Sequence, residues 1–227
     1  MMTRPPALAV MARAPGSEVV KSRLHAALGV GPATLLYRCF LLDGLEAAAA
    51  LPGLAPVLAV SPPHAARAMA ALAPAGMRLV PQRGGDLGAR MAHLAAALLA
   101  DGHRAALLIG SDLPTLPAAH LTEASRTLAE GAADVVLGPA EDGGYYLIGL
   151  ARPAPALFEG IAWSTGGVLA ATRARARGLG LREHLLPPWY DVDMPADLDR
   201  LRRDLGTPGA GAWRTRRWLA AFAPERS

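Results

Sequence analysis

The only lysine of the chain, Lys21, stands two residues before Arg23 in a segment that reads EVVKSRL. Lysine and arginine together number 23, so every other cationic side chain of these two types is an arginine. The segment follows an apolar stretch at 7–12 and a Pro15–Gly16 turn, which is typical of a loop that leaves a strand. A compact ammonium, a guanidinium and free backbone N–H groups suit phosphate binding. The alternative is a surface lysine without a function.

Three aspartates form a second group of candidates. Asp112 directly follows the strongly apolar segment RAALLIGS, and Asp191 and Asp193 flank Val192, so an extended backbone places these two on one side. Two carboxylates on one side repel each other unless a cation lies between them, and Mg²⁺ or Mn²⁺ suits such oxygen ligands. The alternatives are that Asp112 is a turn or N-cap residue, that Asp193 caps the next helix, and that Asp191 is a surface charge.

The glycine-rich segment QRGGDLGARM follows a third apolar stretch. Its glycines let the backbone approach a ligand closely, the Gln82 amide could read a nucleobase, and Arg90 falls in the first turn of the next helix. The predicted nucleotide-binding residues in this part of the chain are Gln82, Gly84, Gly85, Gly88 and Arg90. The alternative is a tight turn in which Asp86 is the N-cap of that helix.

Two further segments, EDGGYYLIGL and WSTGG, are predicted to face an acceptor. Asp142 precedes a Gly143–Gly144 turn, and we predict a catalytic role for it, with Glu141 as a second candidate base for a hydroxyl acceptor. Ser164 and Thr165 precede a helix, where hydroxyls and free amides can hold an anion. The predicted acceptor-binding or phosphate-binding residues are Gly143, Gly144, Ser164 and Thr165. For the serine and threonine, simple N-capping is the alternative.

The elements that position these residues alternate along the chain. Strands are predicted at 7–12, 56–61, 77–82, 104–111, 133–140, 145–150 and 181–186, and helices at 32–51, 64–73, 87–100, 118–130, 166–177 and 195–205. Continuous apolar strands between amphipathic helices indicate an α/β fold with a mainly parallel sheet that is covered on both faces. Ligands bind beyond the carboxyl ends of strands in such sheets, which is where the candidate residues fall.

Composition excludes several classes of protein. The 227 residues suggest one domain over 1–206 with a helical tail over 207–227, and the net charge is +4. One cysteine excludes a disulfide framework, the histidines show no metal-binding spacing, and no Gly-x-Ser-x-Gly elbow for nucleophilic hydrolysis is present. No apolar run is long enough to span a bilayer or to serve as a signal peptide. We therefore expect a cytoplasmic protein without a nucleic-acid partner, and its oligomeric state stays open.

As a set, the motifs PGSEVVKSRL, QRGGDLGARM, GSDLPTL, PAEDGGYYLIGL and DVDMPADL resemble the DUF2064 family, also called radical-SAM/selenodomain-associated transferase 1. The resemblance covers roughly 7–205 and implies a Rossmann-like, GT-A-type three-layer fold of the nucleotide-diphospho-sugar transferase superfamily. The family is similar to deazaflavin-pathway phospholactate guanylyltransferases and to molybdenum-cofactor guanylyltransferases. In the former, a lysine lies near phosphate and aspartates that match Asp112, Asp191 and Asp193 hold metal. Two departures are Ser22 for the usual threonine and Met194 for the threonine of Asp-x-Asp-Thr-Pro.

The leading hypothesis is a metal-dependent nucleotidyltransferase that moves a nucleoside monophosphate from a triphosphate to a small phosphorylated or hydroxyl acceptor. In this hypothesis Lys21, Arg23, Asp112 and Asp142 are catalytic, and Ala12, Pro15, Gly16 and Lys21 contact the nucleotide. Mg²⁺ or Mn²⁺ is held by Asp112, Asp191 and Asp193. The alternatives are a glycosyltransferase that uses a nucleotide-diphospho-sugar and a nucleotide-binding module without catalysis.

Overall fold

A seven-stranded sheet forms the centre of the computed structural model, which describes residues 4–207 and 211–222. The strands are β1 (Ala7–Arg13), β2 (Ala55–Ser61), β3 (Arg78–Pro81), β4 (Ala106–Gly110), β5 (Val135–Pro139), β6 (Tyr145–Leu150) and β7 (Glu183–Leu185). Their order across the sheet is β3-β2-β1-β4-β6-β5-β7. Strand β6 runs antiparallel to both of its neighbours, because the short turn between β5 and β6 forms a hairpin. The prediction of a mainly parallel sheet is confirmed.

The strand order reverses direction between β1 and β4. From β1 the chain adds β2 and then β3 toward one edge, and it then returns to place β4 on the other side of β1. Such a reversal leaves a crevice at the carboxyl ends of the two central strands. The loops that carry Lys21 and Asp112 start at those two ends, so the topology brings them together.

Helices cover both faces of the sheet. They are α1 (His25–Leu28), α2 (Val30–Ala50), α3 (Ala66–Ala70), α4 (Leu87–Ala100), α5 (Ala118–Ala129), α6 (Val168–Gly178), α7 (Pro195–Leu205) and α8 (Trp213–Ala221). The helix predicted at 64–73 is shorter, because Pro63–Ala65 form a 3-10 turn and the chain breaks again before Pro74. No helix in the described part of the chain has the length and apolar character that crossing a membrane requires.

Most of the core lies in two layers, one on each face of the sheet, and a third buried cluster joins α2, α7 and α8. Along β1, Leu8 and Val10 pack on one face and Ala7 and Ala9 on the other, and all four are buried. A strand that alternates between two apolar layers must be covered on both sides. The predicted three-layer α/β sandwich is therefore confirmed.

The helix in the tail, α8, packs on α2. The buried carboxylate of Asp43 in α2 accepts hydrogen bonds from the backbone N–H and the hydroxyl of Thr215, each at 2.8 Å. It also accepts one at 3.1 Å from the guanidinium of Arg214. The described part of the tail thus rests on the domain, whereas 208–210 and 223–227 lie outside the described residues. The division of the chain at 206 stays a prediction.

Candidate active site

Lys21 lies at the centre of the crevice. Its ammonium donates to the Val192 carbonyl at 2.7 Å and to Asp193 Oδ1 at 2.8 Å, and it lies 2.9 Å from Asp112 Oδ2. The lysine side chain is only 2% exposed. Burial lowers the pKa of Lys21, but the carboxylates of Asp112 and Asp193 outweigh that effect and hold the pKa above its usual value. The ammonium therefore stays charged and joins two loops that are distant in sequence.

The backbone of Lys21 is left-handed, with φ 51° and ψ 40°. Residues with a Cβ seldom adopt this conformation, which costs on the order of 1–2 kcal/mol. Here it turns the chain between the buried side chains of Val20 and Leu24 and directs the lysine inward. The local strain is balanced by the three contacts of the ammonium.

The two aspartates of the DVD segment lie in different environments. Asp193 accepts from Lys21 and, through Oδ2 at 3.2 Å, from Arg23, and these cations hold its pKa below the usual value against the effect of burial. Burial, Asp193 and Asp142 raise the pKa of Asp191 to about 6. The backbone of Asp193 is held by the start of α7, where Asp197 accepts from the N–H of Asp193 at 2.8 Å and from that of Met194 at 2.6 Å. The segment is thus a rigid carrier of two carboxylates.

Asp112 lies just beyond the end of β4. Its Oδ2 pairs with Lys21, and its backbone carbonyl accepts from the Val192 N–H at 3.1 Å. Its Oδ1 is buried and has no hydrogen-bond partner among the described residues. A buried carboxylate oxygen without a partner is costly, so this atom is suited to a cation or a donor from a ligand.

Two cavities meet at this cluster. The first, here called the strand-1 cavity, has a volume of about 280 Å³ and is lined by residues that include Arg13, Val19, Lys21, Tyr37 and Ser111. The second, here called the hairpin cavity, has a volume of about 470 Å³ and is lined by residues that include Asp142, Tyr145, Trp163, Ser164 and Asp191. Both are lined by Arg23, Gly110, Asp112 and Asp193. A group bound in one cavity can therefore reach a group bound in the other past two aspartates and an arginine.

The metal set remains a prediction. Asp112 and Asp193 both contact Lys21, and Asp191 lines the hairpin cavity beside them. As these side chains stand, no three His, Cys, Asp or Glu residues within 4–207 and 211–222 are arranged to hold a metal ion. Lys21, rather than a third carboxylate, contacts both Asp112 and Asp193.

The residues predicted from the glycine-rich segment lie apart from the cluster. The Gln82 amide is buried and donates to the carbonyls of Ala59 at 2.9 Å and Ala12 at 3.3 Å, so its hydrogens are used within the sheet. Arg90 donates to the Gly84 carbonyl at 3.2 Å. Asp86 accepts from the Ala89 N–H at 2.7 Å, as expected of an N-cap. These contacts give the segment a structural explanation, and its nucleotide-binding role stays a prediction.

Of the remaining predicted residues, some lie in β1 and the turn before Lys21, and the others lie around the hairpin cavity. Ala12 is buried in β1, and Pro15 and Gly16 form the turn before Lys21, with φ 87° at the glycine. At the hairpin, the Gly144 N–H donates to Asp142 Oδ1 at 2.8 Å. The Thr165 hydroxyl donates to the Ala162 carbonyl, also at 2.8 Å.

Gly143 is required where it stands. Its φ is 88°, and a Cβ at this position would overlap the Gly166 carbonyl. Ser164 is also left-handed, with φ 64°. Gly144, Ser164 and Thr165 line the hairpin cavity, and their acceptor-binding role stays a prediction.

Several residues of the site were missed by the sequence reasoning, among them Tyr37, Ser111 and Trp163. The Tyr37 hydroxyl bonds the backbone N–H and the carbonyl of Arg13 and the Ser111 hydroxyl, each at 3.0 Å, and so ties β1 to the end of β4. Trp163 forms a wall of the hairpin cavity. A tyrosine on the apolar face of a long helix and a tryptophan directly before Ser-Thr-Gly-Gly were the available signals.

Gly88 leaves room for Trp163. A Cβ on Gly88 would lie 2.5 Å from Cζ2 of the indole, whereas a Cβ on Gly85 would meet nothing within 4 Å. We expect Gly88→Ala to displace the indole and to lower the free energy of unfolding by about 1–3 kcal/mol. Gly85→Ala in the same loop is the matched control and should be close to neutral. Urea unfolding of both variants tests this, and equal stabilities would contradict it.

Comparison with known proteins agrees with this architecture. Residues 44–165, more than half of the chain, match the family model DUF2064, described as an uncharacterized protein conserved in bacteria. A crystal structure of a candidate nucleotide-diphospho-sugar transferase from Desulfovibrio desulfuricans G20 is 31% identical, covers 96% of each chain and superposes with a TM-score of 0.83. No curated protein matches the sequence.

More distant structures share the fold. A CMP:2-keto-3-deoxy-manno-octonic acid synthetase complexed with CTP is 14% identical over 89% of this chain and 98% of its own, with a TM-score of 0.57. Molybdopterin-guanine dinucleotide biosynthesis protein A from Archaeoglobus fulgidus is 15% identical over 88% and 98%, with a TM-score of 0.56. With a matching family model and a relative at 31% identity over almost the whole chain, this protein belongs to the DUF2064 family.

Proposed function

We propose that this protein is a metal-dependent nucleotidyltransferase that moves a nucleoside monophosphate from a nucleoside triphosphate to a small acceptor. The observation that carries the proposal is the meeting of two cavities at Arg23, Asp112 and Asp193. A transfer reaction needs two substrates whose reacting atoms approach each other in line, and a charged border between two cavities provides such a place.

The strand-1 cavity suits the triphosphate. Arg13, Lys21 and Arg23 line it, so three cations face a ligand that carries several negative charges. The hairpin cavity suits the acceptor, because Asp142, Ser164 and Thr165 offer polar contacts and Trp163 an apolar wall. In this arrangement Arg23 and Lys21 neutralise charge that develops as pyrophosphate leaves, and an acceptor phosphate is already ionised and needs no base.

Asp112, Asp191 and Asp193 would hold the metal. The residues fit it in two respects: all are hard oxygen ligands, and Asp112 Oδ1 is buried without a partner among the described residues. Mg²⁺ or Mn²⁺ bound there would supply additional neutralisation of the phosphate charge. The contribution of the chain itself is to fix the three carboxylates at the ends of β4 and of the loop before α7.

The relatives support a transferase that uses a nucleotide. The D. desulfuricans protein, at 31% identity, is a candidate nucleotide-diphospho-sugar transferase. The more distant structures with the same fold include one with bound CTP and one that takes part in molybdopterin-guanine dinucleotide synthesis. These names favour nucleotide chemistry for this chain and leave the acceptor open.

Glycosyl transfer from a nucleotide-sugar is the second candidate. The observation in its favour is the hairpin cavity, where Trp163 and Tyr145 stand beside Asp142. Aromatic faces pack well against sugar rings, and a hydroxyl acceptor would need a base such as Asp142. No contact among the described residues of the site specifically favours a binding module without catalysis.

Thermal unfolding with Mg²⁺ and each nucleoside triphosphate or nucleotide-sugar, followed by an assay of pyrophosphate release, separates these candidates. Nucleotidyl transfer predicts stabilisation by a triphosphate and release of pyrophosphate when the correct acceptor is present. Stabilisation by one nucleotide-sugar over its parent diphosphate would instead favour glycosyl transfer. Lys21→Ala should lose the stabilisation by nucleotide in either case. If this variant is stabilised as much as the wild type, Lys21 does not contribute to nucleotide binding.

A further inference from the structure

We propose that Lys21 acts as a built-in cation that bridges Asp112 Oδ2 and Asp193 Oδ1, so that a divalent metal that bridges the two carboxylates through these oxygens must displace its ammonium. The displaced ammonium then becomes available to the phosphates in the strand-1 cavity. This inference rests on the proposed function, since it concerns the order in which the same site takes up metal and nucleotide.

All three donors of the ammonium are in use. An ammonium has three N–H groups, and those of Lys21 face the Val192 carbonyl at 2.7 Å, Asp193 Oδ1 at 2.8 Å and Asp112 Oδ2 at 2.9 Å. With a side chain that is 2% exposed, the lysine has no donor left for a ligand. Any contact between Lys21 and a phosphate therefore requires at least one of these three bonds to break.

The same two carboxylate oxygens cannot serve an ammonium and a metal together. Mg²⁺ binds carboxylate oxygens at about 2.0–2.1 Å, which is well inside the N···O distances at Lys21. A divalent ion between Asp112 Oδ2 and Asp193 Oδ1 would thus lie against the ammonium, and the two positive charges would repel each other strongly in a buried site. Metal and lysine exclude each other from this position.

The strand-1 cavity offers the lysine a second position. Lys21 itself lines that cavity, together with Arg13 and Arg23. A triphosphate in the cavity would attract an ammonium released from the aspartates, while the metal compensates the carboxylates that the ammonium leaves. Metal and triphosphate should consequently bind with positive cooperativity.

Arg23 differs from Lys21 in that it is exposed and does not bridge Asp112 and Asp193. It also pairs with Asp193, at 3.2 Å through Oδ2, but its side chain is 62% exposed. Its guanidinium does not stand between the two aspartates. Removal of Arg23 deletes one positive charge near the site without freeing that position, which makes Arg23→Met a matched control for Lys21→Met.

Amine acetylation tests the displacement directly, because Lys21 is the only lysine. The wild-type protein is treated with an N-hydroxysuccinimide ester with and without MgCl₂, in NaCl of equal ionic strength, and Lys21 modification is followed by peptide mass spectrometry. The α-amino group is the internal reference. We expect MgCl₂ to speed modification of Lys21 about tenfold, because the metal shifts Lys21 from its bound position between the aspartates to an accessible one. The rate at the α-amino group should not change. No change, or slower modification, would overturn the proposal.

Mn²⁺ affinity provides a second readout, without nucleotide. Lys21→Met should bind Mn²⁺ about tenfold more tightly than the wild type, because the ion no longer competes with an ammonium. Arg23→Met should change the affinity much less. Equal or weaker binding by Lys21→Met would overturn the proposal, and if that variant does not fold, the acetylation experiment decides.

Neither measurement depends on turnover. A wild-type enzyme that transfers nucleotides but shows no metal-dependent exposure of Lys21 would keep the proposed function and remove this inference. If Mg²⁺ exposes Lys21 but no triphosphate is turned over, the displacement of Lys21 is supported and the proposed nucleotidyl transfer is contradicted.

Discussion

Asp112→Asn should reduce nucleotidyl transfer by at least about a hundredfold, while the protein remains folded. The carboxylate stands where the strand-1 and hairpin cavities meet, and it contributes a buried oxygen without a partner among the described residues. Asparagine keeps the shape and can still accept from Lys21, but it removes the negative charge that a metal and a charged lysine require. The loss of one charge-assisted hydrogen bond should lower the free energy of unfolding by only about 1.5–3 kcal/mol.

The measurement is the rate of pyrophosphate release at saturating triphosphate, together with urea unfolding. Asp199→Asn is the matched control, because Asp199 lies in α7 with a side chain that is 71% exposed and pairs only with Arg202 in the described structure. That variant should keep the wild-type rate. If Asp112→Asn were as active as Asp199→Asn, Asp112 would have no place in the chemistry.

Asp43→Ala should lower the free energy of unfolding by about 3–5 kcal/mol. The Asp43 side chain is 3% exposed and receives four donors from the start of α8: the N–H and hydroxyl of Thr215 and the N–H and guanidinium of Arg214. Alanine would leave the N–H and hydroxyl of the buried Thr215 without this acceptor, would leave the Arg214 guanidinium only Glu46 among the described carboxylates, and would open a space between α2 and α8. Because a domain is stable by only about 5–15 kcal/mol, this loss is large.

Glu46→Gln serves as the control for Asp43→Ala. Glu46 lies one turn further along α2 and also pairs with Arg214, at 2.5 Å, but its side chain is 57% exposed. An exposed ion pair contributes about 0–1 kcal/mol, so this variant should unfold almost as the wild type does. Similar urea midpoints for the two variants would show that the Asp43 contacts do not anchor the tail.

The central cluster could be predicted because its residues follow strands. Lys21 and Asp112 come after the two strands at which the sheet order reverses, and Asp193 stands in an extended segment before a helix. Their positions after strands were sufficient to predict that they lie at the same edge of the sheet. The direct contact between Lys21 and the two aspartates was not predictable, because it depends on the left-handed backbone of Lys21 and on a segment more than 170 residues away.

At Gln82, the position of a residue after a strand did not predict where its side chain lies. Gln82 also follows a strand, but its side chain turns inward and its amide donates to the main chain of β1 and β2. The direction of a side chain at the end of a strand is set by neighbours that are distant in sequence. The antiparallel direction of β6 depended instead on the local geometry of a short turn, and the docking of α8 depended on a carboxylate within a helix that reads as apolar.

Helix α2 connects the crevice at the ends of β1 and β4 with α8. Tyr37 bonds Ser111 at one point of this helix, and Asp43 receives Thr215 six residues later, about 9 Å further along the axis. A ligand that contacts the Ser111 hydroxyl therefore acts on the same helix that α8 packs against. Amide hydrogen exchange in α8 should slow when a nucleotide fills the strand-1 cavity, so that the last helix can report on occupancy of a site that it does not touch.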